Sequence, residues 1–142
     1  MSYENPDRRT YVFPLFDYGG AAGARTDRIR GPKGKTGRLI DYGVVGVQET
    51  FAGTTDATIA IGTTGDVDAY GNEFPLGTDV TTTLGSKTVQ STYDPIADAA
   101  NWATYMLDQS IPADVPILIT NTEAITGPAG QACPYVVIDW AD

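Results

Sequence analysis

Along much of this chain apolar and polar residues alternate, and that two-residue period predicts strands. TYVFPLF at 10–16 combines aromatic and β-branched residues, and Pro14, which lacks an amide proton, places this strand at a sheet edge or at a bulge. DYGGAAGA at 17–24 reads as a loop, RTDRIR at 25–30 as a short exposed strand, GPKGKTG at 31–37 as a turn, and RLIDYGVVGVQETF at 38–51 as the longest strand. In ATIAIGTT (57–64), Ile59 and Ile61 share one face. GDVDAYGNEFPLGT (65–78) is an irregular loop leading into a short strand, and the threonine-rich DVTTTLGSKTVQSTY (79–93) is one or two polar strands. VPILIT (115–120) and PYVVIDW (134–140) predict a closing pair of strands joined by NTEAITGPAGQAC, with Val136, Ile138 and Trp140 on the buried face of the last.

One segment has a helical period instead. In DPIADAANWATYMLD (94–108), Asp94 suits an N-cap and Pro95 the first helical position, while Ile96, Ala100, Ala103 and Leu107 fall on one stripe. The expected fold is therefore mainly β: an antiparallel β-sandwich or jelly-roll-like body of about seven or eight short strands, with one short helix near residues 95–108. Residues 1–9 are read as an extended, polar N-terminal arm and 10–142 as a single β-rich domain, long enough to bury its own core.

Composition narrows the chemistry. The 142 residues contain no histidine, which removes the usual general base, the usual zinc ligand and the Ser-His or Cys-His nucleophile pairs. No catalytic, cofactor-binding or metal-binding residue is assigned, and the expectation is a protein without enzymatic activity. Cys133 is the only cysteine, so no disulfide forms within the chain. No apolar run reaches the roughly 20 residues of a membrane span, and the start lacks a signal-peptide layout, so a soluble protein made in the cytoplasm is expected.

Charge is unevenly placed. Residues 1–38 hold eight of the nine bases against four acids; the remainder holds Lys87 against fourteen acids, within a net charge of −9. A basic segment on an acidic body either meets an acidic partner or packs on that body. The candidate partner residues are Arg8, Arg9, Arg25, Arg28, Arg30, Lys33 and Lys35. The acidic remainder would repel a phosphate backbone, so direct binding of nucleic acid is not expected.

Two motifs fail on inspection. Gly34-Lys35-Thr36 ends like a nucleotide-binding loop, but that loop needs glycine at position 29, where Ile29 stands, and a helix after it rather than a β-rich run. Gly31, Gly34 and Gly37 mimic a collagen repeat too short for a triple helix. Asp66, Asp68 and Glu73 lie faintly like a calcium loop, yet the glutamate that loop requires is Gly77, and a solvated turn is the simpler reading.

The order of features, with GPKGKTGRLIDYGV, ATIAIGTTGDVDAYG, IPADVPILIT and a terminal PYVVIDW, resembles small structural proteins of tailed bacteriophages that decorate or cement the capsid. The resemblance covers most of residues 10–142 and rests on pattern, with no invariant motif. It implies a β-sandwich-like subunit, often a homotrimer, on the outer capsid surface of the virion, with the major capsid protein as partner. A tail or collar component, or a carbohydrate-binding β-sandwich using Tyr11/Phe13 or Trp102/Tyr105, is the alternative.

Overall fold

A computed structural model describes residues 7–20, 24–76 and 107–142. Nine strands are present among them: β1 (Asp7–Val12), β2 (Phe16–Asp17), β3 (Ala24–Arg30), β4 (Thr36–Ala52), β5 (Thr58–Gly62), β6 (Gly71–Pro75), β7 (Ser110–Ile111), β8 (Pro116–Thr122) and β9 (Ala129–Ala141). They form two antiparallel sheets, so the mainly β, sandwich-like class is observed. One sheet runs β1–β9–β4–β7, with β2 also on β9; the other runs β3–β8–β5–β6.

The two longest strands, β4 and β9, form the spine of the first sheet. The ladder between them shifts register between Leu39 and Asp41 and again between Val45 and Glu49. Each extra residue turns the alternation over. That is why Leu39, Tyr42, Val44 and Val47 are all buried although the first and last gaps among them are three residues. Gly46, at φ 62°, takes the left-handed conformation that the second bulge requires. From β9, Val136, Ile138 and Trp140 face the same core, as their alternation predicts. Ile59, Ile61, Ile117, Ile119 and Phe74 meet them from the second sheet.

Pro14 is outside both ladders. Val12 pairs with Tyr135 and Phe16 with Ala132, so four steps along one strand oppose three on β9. The N-terminal strand is thus both an edge and interrupted by a bulge, the two places that tolerate proline.

Trp140 accounts for two of the three spaced glycines. A Cβ on Gly31 would fall within the indole ring, and one on Gly37 would lie 2.8 Å from its Cζ3. The indole Nε1 donates to Tyr11 Oη at 2.9 Å. Gly34 has a different reason: at φ 76° it closes the β3–β4 turn. The collagen-like spacing is therefore a tight turn around a buried ring.

Several expectations change. Residues 79–93 and 94–106, including most of the expected helix, lie outside the described residues. Its last two, Leu107 and Asp108, are not helical: both amides donate to Tyr70 O, and Leu107 is exposed instead of lying on a buried stripe. β7 was not anticipated, because a two-residue strand has no period to read. The loop expected at 121–133 shrinks to 123–128, as β8 and β9 run into it from both sides. The boundary drawn at residue 9 falls inside β1.

Candidate partner interface

The structure sorts the seven candidate bases into two groups. Arg8 on β1 stands beside Asp139 on β9, its register partner, and grips it with two hydrogen bonds, Nε to Oδ1 at 2.6 Å and Nη2 to Oδ2 at 2.9 Å. That grip holds the Asp139 carboxyl below the usual carboxylate range, with the Arg8 hydrogen bonds as the main cause and the charge of Arg38 adding to it. Arg9 pairs with Asp7 on its own strand at 2.7 Å. Lys35 reaches the C-terminal residue, Asp142, at 3.1 Å.

Arg25 was read as exposed, but it is turned inward. β3 alternates: Ala24, Thr26, Arg28 and Arg30 are exposed, while Arg25, Asp27 and Ile29 are half-buried. Arg25 Nη2 donates to Pro14 O at 2.7 Å and Nη1 to Leu15 O at 3.2 Å, so a side chain of one sheet fastens the bulged segment of the other. Its guanidinium also pairs with Asp27 and lies 5.0 Å from the centre of the Phe16 ring. It is a staple between sheets, and its inward position removes it from any partner surface.

Arg25 and Asp27 belong to a buried polar cluster that sequence reasoning missed. Asn121 on β8, fully buried, accepts from Tyr18 Oη at 2.9 Å and donates to Arg25 O at 3.2 Å and Asp27 Oδ2 at 3.1 Å. Burial pushes the Tyr18 hydroxyl pKa far up, which keeps it a neutral donor. A signal was available: Ile117, Ile119, Asn121 and Arg25, Asp27, Ile29 are each every second residue of a strand, so the polar members share the core face with the isoleucines.

Arg28, Arg30 and Lys33 form the second group. They are exposed, and none makes an ion pair with an acid among the described residues. Arg30 Nη1 donates to the backbone carbonyl of Asp114. The Asp114 carboxylate is itself engaged, accepting from Gly34 N at 2.8 Å. That amide is one a phosphate would need, and it is occupied by a side chain of the same protein. Beside Arg28 and Arg30, the register on β8 places Leu118 and Pro116, so no acid flanks either across the ladder.

The strand that carries them is an edge. Among the described residues β3 pairs with β8 alone and β1 with β9 alone. Because Arg25 ties β3 to the segment following β1, both open edges lie on one side of the sandwich. Val12 and Leu15, 57% and 46% exposed, flank the bulge on that side.

Elsewhere the chemistry is sparse. No group of three or more His, Cys, Asp or Glu side chains is placed to hold a metal ion among the described residues. Asp66 and Asp68 share a hydrogen bond that raises the Asp68 pKa, as for two carboxyls contending for one proton. Cys133 is half-buried and free. No helix of the described residues is long and apolar enough to cross a membrane. No protein-family model matches the chain, and neither a curated protein nor a solved structure matches it.

Proposed function

We propose that this protein is a bacteriophage head decoration, or cement, protein: a non-enzymatic subunit, acting as a homotrimer, that binds the major capsid protein on the outer surface of the virion and stabilises contacts between capsid subunits. The observation that carries the reading is the division of the bases. Four are consumed by internal contacts, and the three left over are contiguous along an open strand edge of a rigid two-sheet body. A cement subunit needs a preordered surface, since affinity is lost to every group that must be ordered on binding. Its acidic remainder keeps a particle coated with it soluble and faces partners away from every side but the basic one.

The carbohydrate-binding alternative draws less support. A glycan platform needs exposed rings, whereas Phe16, Tyr18, Tyr42, Phe51, Tyr70, Phe74, Tyr135 and Trp140 are buried, and Tyr11 and Phe13 pack against the core. Trp102 and Tyr105 lie outside the described residues.

The test is head stability. Undecorated heads of the source phage are heated with and without the purified protein, and DNA or shell release is followed. Decoration raises the release temperature at saturating protein; an unchanged release temperature refutes the reading.

A further inference from the structure

We propose that the open edge of β3 receives an extended acidic strand of the partner protein, added antiparallel or parallel to Ala24–Arg30 and held by Arg28, Arg30 and Lys33. The inference rests on the reading of this chain as a subunit that docks on a larger protein, and it names the side and the chemistry of the docking.

Three observations converge. First, β3 is seven residues long, regular, and paired on one side only among the described residues, so its other side offers a row of backbone donors and acceptors. Second, the outward side chains at its C-terminal end are cations without acidic partners. Arg28 and Arg30 are two residues apart, about 6.6 Å along a strand, which is also the spacing of side chains on one face of any strand laid beside it. Acids at alternate positions of an added strand therefore fall opposite both arginines at cross-strand distance, where opposite charges stabilise a pair. Lys33, in the turn that follows, extends the same row.

Third, the edge is poorly suited to a second copy of itself. Two β3 strands laid side by side would bring Arg25, Arg28 and Arg30 of each together against a single Asp27 apiece. Charges on an edge strand guard against self-pairing. Here they also select: a strand of opposite charge is admitted where a copy is repelled. Val12 and Leu15 on the same side provide exposed apolar surface for the flank of the incoming segment. Duplex nucleic acid would use the cations but not the strand edge, and would meet the acidic body beyond them.

The test uses the isotope-labelled full chain, titrated with a soluble peptide of about nine residues alternating threonine and glutamate. A matched threonine/lysine peptide and a DNA oligonucleotide serve as competitors. The expected result is amide shifts concentrated in residues 24–30, with hydrogen exchange there slowed at least about tenfold at low salt. The effect fades near 0.5 M salt, where screening shortens to about 4 Å. The R28E/R30E/K33E variant changes only exposed side chains; it melts as the parent does and loses the effect. Shifts centred on another edge, no slowing in β3, or equal binding of the lysine peptide or the oligonucleotide overturns the proposal. Co-sedimentation with phage heads separates the two readings. If the triple variant binds heads as well as the parent, the β3 edge is not the docking side although the capsid role stands. If the parent binds the acidic peptide at β3 but never heads, the capsid role fails and the edge stands.

Discussion

Replacing Gly31 by alanine tests the packing that fixes the basic turn. The added methyl falls within the Trp140 indole ring. The ring cannot retreat easily: its Nε1 is bonded to Tyr11 Oη at 2.9 Å, and the Gly37 backbone closes its other approach. Overpacking of a well-filled core costs about 1–3 kcal/mol, and a methyl driven into a held ring belongs at the upper end, about 3 kcal/mol. For a domain of this length that lowers the melting temperature by about 10 °C. Gly34→Ala provides the contrast. Nothing lies within 4 Å of its added Cβ, so only the left-handed backbone, φ 76°, resists, at about 1 kcal/mol. Thermal unfolding of G31A, G34A, W140F and G31A/W140F by circular dichroism completes the comparison. A smaller ring makes room for the methyl, so the double variant should be less destabilised than the two single effects added together. If G31A melts no lower than G34A, or if W140F gives no relief, the account of the turn is wrong.

Three further outcomes follow. Asn121→Ala leaves the Tyr18 hydroxyl without its acceptor and Asp27 without one of its donors in the core, and should cost about 3 kcal/mol in urea unfolding; a loss below half of that contradicts the buried network. Asp139 has its pKa depressed by Arg8, so its contribution is present above the pKa of the unfolded carboxyl, near 4, and is lost as pH falls through the lower folded value. Asp139→Asn should therefore lower the unfolding midpoint at pH 7 and flatten its fall below about pH 4; parallel parent and variant curves in that range would contradict the pairing. Deleting residues 1–6 leaves the Arg8–Asp139 bridge intact, whereas deleting 1–9 removes it along with half of β1. The longer deletion should melt lower in differential scanning calorimetry; equal melting would show that the β1 edge contributes nothing.

The sheet-forming segments were legible where burial follows a strict alternation. Val136, Ile138 and Trp140 on β9 and Ile59 and Ile61 on β5 are where the period places them. What sequence could not reveal was pairing across the chain. Arg8 meets Asp139 and Tyr18 meets Asn121 over more than 100 residues, and nothing local to either partner announces the other. Tyr18 sits in a glycine-rich stretch that reads as a loop, yet it is fully buried because β9 and β8 close over it. The candidate interface was half legible. Charge placed it in residues 8–35, but only the alternation of β3 separates Arg25, turned into the core, from Arg28 and Arg30, turned out. The bulges of β4 were hidden for a related reason: a single extra residue reverses the facing of everything after it, and a run as uniformly apolar as GVVGV does not mark where the residue is inserted.

The central claim is that this chain is a structural subunit that coats a phage head. Its most direct test is co-sedimentation of increasing amounts of purified protein with undecorated heads of the source phage. The account predicts saturable binding at a fixed ratio to the major capsid protein, with the ratio and trimer mass agreeing by light scattering. Protein that remains in the supernatant at every concentration, or that binds without saturating, would contradict it.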